Sequence, residues 1–593
     1  MSDNDPQLYF AEDGTPRSAR FGDIYYSPQD GLAESRAVFL QGCHFPGAWQ
    51  GGGSFSVLEL GLGTGLNIAA LMQLWTATRP VGGHLHIFSI EGFLMPAEAA
   101  GAALSNWPEL DGFRDALLAQ WPMPRHGFHH MDFPQWGISL TVALMDVREA
   151  LSAWAGSANA IFLDGFSPAL NPDMWAEDVF QGIAARAQPG ARLATFTVAG
   201  FVRRGLQAAG FAIEKRPGFG RKRERLEAVF PGEFSARPDV RRIAIIGAGI
   251  AGASLAYQAS CLGIGADVYE AERVGSGASG NDAALVTPRL DAGDAVTAGL
   301  FADAHVYATG LYRREWPQSL IAEGVYHCES QPRDASRFDR LADQPVFAEG
   351  ALTRFGAGSI DDLPDAGGLI MRDALTVDPV DLLAGLLAKA TLITDRVTQV
   401  GCQDDRVSLR TASGGHHVYA AIVVACGDGV FDLESLAADH DLRPVRGQVE
   451  TVRSETRPAH GVSWGGYLAP TRQGFLFGAT HDREDRETAP RETDRQRNLD
   501  NLTVRLPHIA EAVADSEIRS RASIRVTTRD HLPLAGEVAP GLHILTGLGA
   551  RGFCLAPLLA RDILARIAGA PSCLPQAVGQ RLKATRLQRT YSS

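Results

Sequence analysis

Cysteine is scarce in this chain, and no two cysteines stand in a CxxC spacing. Seven are scattered over 593 residues. That excludes a disulfide framework or a zinc knuckle as the organising device and suits reduced thiols in a cytosol. Positive charge is also short. A formal net charge of -13 excludes a globally basic nucleic-acid coat, so any contact with RNA must use a local patch. No Gly-X-Y period accompanies the 64 glycines, which excludes collagen. Short-period repeats and low-complexity tracts are missing. The opening Met1-Ser2-Asp3-Asn4-Asp5 lacks the basic and apolar regions of a signal peptide. One uncharged stretch, 243–266, is long enough to span a bilayer. Its glycines and its Ser, Gln and Tyr residues suit a strand, a turn and a buried helix better. These absences predict a cytoplasmic protein without a metal site, with a monomer as the default. What is present, 45% hydrophobic and 21% charged residues, is the composition of a packed globular protein.

The length suits two large α/β units. A cluster of Pro, Gly and charge at 231–240 reads as the linker between them. In the first part, apolar runs at 56–60, 85–90, 140–145, 160–163 and 192–197 alternate with helical patterns. This predicts a parallel sheet covered on both faces. Segments near 211–215 and 225–230 predict an antiparallel hairpin. The second part opens with a strand at 242–246, becomes rich in short β-like runs, and returns to strand, Gly loop and helix at 543–559. This is the pattern of a nucleotide-binding domain interrupted by a β-rich substrate domain. The domains are placed at 1–235 and 236–593. Nucleotide-binding parts are expected near 240–300, 370–440 and 520–575, and substrate parts near 301–369 and 441–519.

Glu59-Leu60-Gly61-Leu62-Gly63-Thr64-Gly65 joins a strand to a helix start. Glycines here let backbone approach a ligand closely. The loop resembles motif I of class I S-adenosylmethionine methyltransferases, in which an acid at the position of Glu59 lies near the methionine part. Glu91 and Asp146 end later strands. They are expected to accept the ribose hydroxyls and the adenine amino group, because ligands sit at the carboxyl ends of such sheets. Asp164-Gly165-Phe166-Ser167-Pro168 ends the next strand. Asp164 can orient an amine and take its proton, and Phe166 can wall the site of methyl transfer.

Ile246-Gly247-Ala248-Gly249-Ile250-Ala251-Gly252 follows a strand, opens a helix, and precedes a second strand ending at Glu270. This is a dinucleotide fingerprint. The pyrophosphate belongs on the helix N-terminus and the ribose on Glu270. Three features favour FAD over NAD. Gly277-Ala278-Ser279-Gly280-Asn281 follows closely, as in amine oxidases of the D-amino-acid oxidase type. Residues 422–427 resemble a second flavoprotein strand and turn. Gly547, Gly549 and Gly552 form a late strand–loop–helix whose N-terminus can face the flavin.

The order of these blocks, together with 195–210, 218–225 and 528–533, resembles the MnmC family of bifunctional bacterial tRNA-modifying enzymes. The resemblance implies a class I methyltransferase domain followed by a D-amino-acid-oxidase-like FAD domain. It implies FAD and S-adenosylmethionine as cofactors and the wobble uridine of tRNA as substrate. FAD-dependent loss of the carboxymethyl group from 5-carboxymethylaminomethyl-2-thiouridine would be followed by methylation of the freed amine. Arg446, Arg525, Arg529 and Arg551 are candidates for the substrate carboxylate. Arg551 and Arg529 rank first because they lie in family-like blocks.

Residues 201–242 hold eleven Lys and Arg against five Asp and Glu. Arg203, Arg204, Lys215, Arg216, Arg221, Lys222, Arg223 and Arg225 form the expected phosphate-binding patch. The tail adds Arg581, Lys583, Arg586 and Arg589. Two other readings remain open from residues alone. One is an amine oxidase fused to a methyltransferase, acting on small free amines. The other is a degenerate methyltransferase fold that only docks tRNA.

Overall fold

The computed structural model describes residues 6–220, 222–234, 240–361, 363, 365–403, 406–433, 436–513 and 516–587. Arg221, Arg589 and the expected domain boundary lie outside the described residues. The chain forms two compact units. One comprises Met1–Asp239, Cys261–Gly263 and Ala565–Gln576; the other comprises Val240–Ser260, Ile264–Leu564 and Ala577–Ser593.

In the first unit, β1 (Ser54–Leu60) leads through the glycine loop into α1 (Leu66–Thr78). There follow β2 (His84–Glu91), β3 (Gly127–Phe133), β4 (Ile138–Leu144), β5 (Ala158–Leu163), β6 (Ala187–Thr195), β7 (Ala212–Pro217) and β8 (Glu224–Val229). They form one sheet in the order β7-β8-β6-β5-β1-β2-β4-β3. Strands β4, β2, β1, β5 and β6 run parallel. Both edges are antiparallel hairpins: β7 with β8, which answers the expected pair, and β3 with β4. Strand β3 carries no clean apolar run in the sequence, since His129, His130 and Asp132 interrupt it. It forms by zipping back on β4.

Alternation along β1 sends Val57 to one face and Leu58 to the other. Val57 joins a core with Ile68, Leu71 and Trp75 of α1. Leu58 joins Phe88, Trp154 and Phe180, where the rings of Phe88 and Trp154 stack 4.5 Å apart. Helix α1 has no charged residue, and most of its length is buried. Such a helix is held by packing rather than by its own surface pairs.

In the second unit, β9 (Arg242–Ile246), α2 (Ile250–Cys261) and β10 (Gly265–Glu270) form the fingerprint unit. The sheet gains β11 (Thr391–Thr394), β12 (Ile422–Val424), β13 (Leu534–Ala539) and β14 (Leu542–Thr546), in the order β11-β10-β9-β12-β14-β13. Helix α3 (Gly552–Ile567) follows β14. A ten-stranded sheet interrupts this unit. Its longest ladder pairs Arg443–Arg453 with Glu517–Thr527. Three segments differ from expectation. Ala284–Val286, Gly368–Val377 and Glu517–Thr527, expected in nucleotide-binding parts, are strands of this ten-stranded sheet. The first pairs with the second, and the second and third pair in turn with Leu320–Cys328 and Arg443–Arg453, which local sequence does not announce. Among the described residues no helix is long and apolar enough to cross a membrane.

Arg446 settles into this sheet rather than onto a ligand. It is fully buried and ion-paired with Asp494 of the helix Glu492–Arg505. It also donates to the carbonyls of Glu487 (2.6 Å) and Ala489 (2.8 Å) and to Gln448 Oε1 (3.1 Å). Its donors are spoken for, which removes it from the carboxylate candidates. Deleting one member of such a pair strands a charge. Asp494→Ala should therefore lower the stability of the second unit by about 3–5 kcal/mol, read from its denaturant midpoint, while Arg446→Met combined with Asp494→Leu should recover most of the loss.

Candidate active sites

The first site is built on the end of β1. Gly61, Gly63 and Gly65 have φ of +92°, +54° and +80°, a region that side chains with a Cβ disfavour. A Cβ on Gly61 would stand 3.4 Å from the Asp164 carbonyl oxygen, so the loop packs directly on the end of β5. Gly65 is the N-cap of α1 and offers its first N–H groups no side-chain acceptor.

Three acids gather here. Glu59 is fully buried, and Ser89 of β2 donates to it at 2.5 Å. Burial holds its carboxyl well above the usual range, and the neighbouring Asp164 and Glu91 add to this against hydrogen bonds from Ser89 and Asn67. Glu91 accepts from the N–H groups of Gly63 (2.9 Å) and Phe93 (2.7 Å), and burial raises it despite them. Asp164 accepts from Gly165 N–H and from Asn67 Nδ2, both at 2.8 Å. Burial pushes its carboxyl up to about 6. An acid-rich, desolvated crevice of this kind favours a cationic ligand, which would return the carboxyls toward ionisation. Asp146, the fourth expected acid, is exposed. It caps the helix Val147–Ala153 by accepting from Arg148 N–H at 2.9 Å.

Several contributors carry no sequence signal. Asn67 holds Asp164 and itself accepts from the Ser35 hydroxyl at 2.7 Å. Phe166 stacks on Phe21 (4.7 Å between centroids) and meets Tyr25 edge-on at 5.1 Å. Tyr25 also lies over the loop, 3.3 Å from where a Gly63 Cβ would be. Asp23 accepts from Ser167 N–H at 2.7 Å, across 144 residues of chain. Segment 20–26 thus supplies an aromatic wall that only folding could reveal.

The second site opens at the end of β9. Gly247 has φ of +103°, and a Cβ there would stand 2.6 Å from Cys426 Cα at the end of β12. A Cβ on Gly252 would meet the Gly247 carbonyl oxygen at 1.8 Å. Both positions therefore admit only glycine, and the first turn of α2 is pressed against the loop. Gly249 faces Ser279, whose Oγ accepts from Ile250 N–H at 3.0 Å. Glu270 accepts from the N–H groups of Ala248 (2.8 Å) and Glu272 (3.1 Å). The late loop brings Gly547 and Gly549 at φ of +73° and +54°, with Gly552 packed against Ile250. These segments line a cavity of about 680 Å³, a size suited to a large cofactor. Glycine cradle, acid and cavity together fit FAD.

Two of the arginine candidates reach this cavity. Arg551 is partly buried, lines the cavity and donates to Thr287 Oγ1. Arg525 also lines it, donating to the Thr480 carbonyl at 3.2 Å. Burial lowers the pKa of both guanidinium groups. A Cβ at Gly447 would stand 1.7 Å from Arg525 Nη2, so that glycine makes room for the guanidinium. Arg529 is not brought here. It lies exposed in the turn after Glu517–Thr527 and is absent from the cavity wall. The ladder turns Arg525 inward, while Arg529 stands beyond the strand end.

The basic segment folds as the helix Gly200–Ala208 and the β7–β8 hairpin. Much of its charge is already paired. Lys215 meets Glu224 at 2.7 Å, Arg216 meets Glu214 at 2.8 Å, Lys222 meets Glu34 at 2.9 Å and Arg225 meets Glu227 at 2.7 Å. Among the described residues, Arg203, Arg204 and Arg223 form no ion pair.

Comparison with known proteins matches both halves. Residues 242–566 match the family model described as FAD dependent oxidoreductase, and 108–231 match that of an S-adenosyl-L-methionine-dependent methyltransferase. The glycine loop at 61–65 precedes the matched part of the latter. Among solved structures, glycine oxidase from Geobacillus kaustophilus superposes with a TM-score of 0.52 at 20% identity, covering 58% of this chain and 99% of its own. Iminodiacetate oxidase from Chelativorans sp. BNC1 gives 0.50 at 24% identity, covering 58% and 98%. Both likenesses establish the fold of the second unit. The protein of Caulobacter sp. (strain K31) called tRNA 5-methylaminomethyl-2-thiouridine biosynthesis bifunctional protein MnmC is 46% identical over 96% of this chain and 95% of its own. Its namesake from Maricaulis maris (strain MCS10) is 38% identical over 96% and 94%. With relatives of this identity along nearly all of both chains, and with a methyltransferase half and a flavin-dependent half in one polypeptide, the chain belongs to the MnmC family of bifunctional proteins.

Proposed function

We propose that the chain carries out two consecutive steps of 5-methylaminomethyl-2-thiouridine synthesis at the wobble position of tRNA. The unit at 236–593 removes the carboxymethyl group from 5-carboxymethylaminomethyl-2-thiouridine. The unit at 1–235 then methylates the freed primary amine. The observation that carries this reading is the presence of two separate cofactor-shaped sites in a chain whose 46% identical relative is named for this biosynthesis. When bound, FAD would supply the two-electron oxidant and S-adenosylmethionine the methyl group. Oxidation of the N–CH2 bond to an imine, followed by addition of water, releases the carboxymethyl group as glyoxylate and leaves the primary amine.

The residues divide the work. Gly247, Gly249, Gly252, Glu270, Ser279, Gly547, Gly549 and Gly552 would hold FAD. Arg551 and Arg525 stand in a water-poor cavity with no carboxylate on either, so they gain most from an incoming one. That pairing fixes the substrate side chain in one orientation and rejects the aminomethyl product, which has no carboxylate and carries an ammonium that the guanidinium groups repel. In the first unit, Gly61, Gly63 and Gly65 with Glu59, Glu91 and Asp146 would hold S-adenosylmethionine, whose sulfonium and ammonium suit the acids. Asp164, steadied by Asn67, accepts a hydrogen bond from the substrate amine. The nitrogen lone pair forms the new N–C bond as the S–C bond breaks, and Asp164 takes the proton that the nitrogen must lose.

Arg203, Arg204 and Arg223 are the described cations best able to meet tRNA phosphates, because Lys215, Arg216, Lys222 and Arg225 are already engaged.

Asp164 works as an acceptor only when ionised, so kcat/KM for methylation should fall as pH drops through about 6. Its raised folded-state pKa means that the associated stability is fully present below the ordinary value of 3.8 and lost as pH rises through about 6. Asp164→Asn should accordingly abolish methylation yet unfold no earlier than the parent at pH 8; earlier unfolding would contradict this account. Arg551→Lys should raise KM for carboxymethyl removal about tenfold or more, since an ammonium cannot reproduce the fork, and leave methylation of a preformed aminomethyl tRNA unchanged. Arg203→Glu with Arg204→Glu should weaken tRNA binding and flatten its salt dependence by about two. Filter binding across a potassium chloride series checks this.

A further inference from the structure

A second chamber of about 490 Å³ adjoins the flavin cavity and shares His327, Ser463 and Arg551 with it. Three arginines line it. Arg551 lines both spaces and so stands at their junction, while Arg289 and Arg337 line the second space only, their side chains 39% and 37% exposed. The latter two guanidinium groups are anchored to the loop 288–293. Arg289 Nη2 meets Asp291 Oδ2 at 3.2 Å, and Asp291 Oδ1 is held by the N–H groups of Gly293 and Asp294, each at 3.0 Å. Arg337 donates through Nη2 to the Leu290 carbonyl at 2.7 Å, with Asp334 only distantly paired at 3.8 Å. The other terminal nitrogen of Arg289, Nη1, is buried and has no hydrogen-bond partner. An unsatisfied guanidinium N–H in a cationic chamber calls for an anion. His327 does not add to the charge. Burial, helped by Arg551 and Arg337, pushes it down to about 4, so it is neutral at pH 7, with Ser463 Oγ 2.8 Å from Nδ1.

We propose that this chamber receives the wobble nucleotide swung out of the anticodon, modified side chain first, and that Arg289 and Arg337 bind its backbone phosphate. The inference rests on the proposed function and deepens it by assigning where the nucleotide sits. A substrate with a carboxylate at one end and a phosphate at the other matches a chamber with one arginine where it meets the flavin cavity and two lining it away from that cavity. The volume suits one nucleotide rather than a helical stem. Extruding a base is how enzymes reach an atom that stacking hides. The phosphate contacts position the nucleotide and leave the reacting carbon to the junction.

The test uses the full-length holoenzyme carrying Arg289→Gln and Arg337→Gln together, with tRNA bearing 5-carboxymethylaminomethyl-2-thiouridine. KM for carboxymethyl removal should rise about tenfold or more with kcat within about twofold, and the log–log salt slope of KM should shrink by about one to two. KM for methylation of aminomethyl tRNA should stay unchanged, flavin content and thermal melting should match the parent, and the Lys pair should recover most of the loss. An unchanged KM, a rise that ignores salt, or a fall in kcat alone would each overturn the assignment. Should the parent enzyme itself fail to convert the tRNA, the proposed function falls; a parent that converts it beside an indifferent double variant removes this inference only.

Discussion

Both halves of this chain depend on one steric condition. At the carboxyl end of a parallel strand the backbone must take a turn that only glycine allows, by positive φ at Gly61, Gly63 and Gly65 and by lack of room for a Cβ at Gly247 and Gly252. At Gly247 a methyl group would strike Cys426, and at Gly252 it would strike the preceding turn. At Gly61 the loop rests on Asp164. In each unit a helix starts directly after the glycine turn, and that helix N-terminus carries no side chain from the glycine at its head. The acids of each site hang from the neighbouring strand ends, so their positions follow from the same condition.

On that common frame the two sites are given opposite electrostatics. The first gathers Glu59, Glu91 and Asp164 away from water, and burial raises all three. The second buries Arg525 and Arg551 with no carboxylate on either, and burial lowers both. Neither arrangement helps folding, since each leaves charge in a poor environment. Each becomes favourable when a ligand of opposite sign arrives. A sulfonium cofactor answers the acidic crevice, and a carboxylate side chain answers the basic cavity. The contrast with Arg446 is instructive. More deeply buried than either, it is matched by Asp494 and three further acceptors, and nothing is left over for a ligand.

The glycine loops, the acids at strand ends and the order of blocks were legible because each is a local pattern of a few residues. The parallel strands of the first sheet could be read from apolar runs for the same reason. Strand β3 could not, because His129, His130 and Asp132 hide it and its pairing with β4 supplies the stability. Arg529 ranked above Arg525 in the sequence. One ladder pairing and the absent Cβ of Gly447 separate them.

Sequence alone thus determined two nucleotide-type folds in series, their cofactors and the acid expected to act on an amine. Those are set by short-range spacing, which a linear text preserves. Tertiary structure decided which arginines face the flavin cavity, that Asn67 and Ser35 steady Asp164, that segment 20–26 walls the methyl site, and that much of the basic hairpin is already neutralised. These depend on contacts between segments up to 144 residues apart and more. Which side chains meet across such distances is fixed by packing and register, and neither is written in local order.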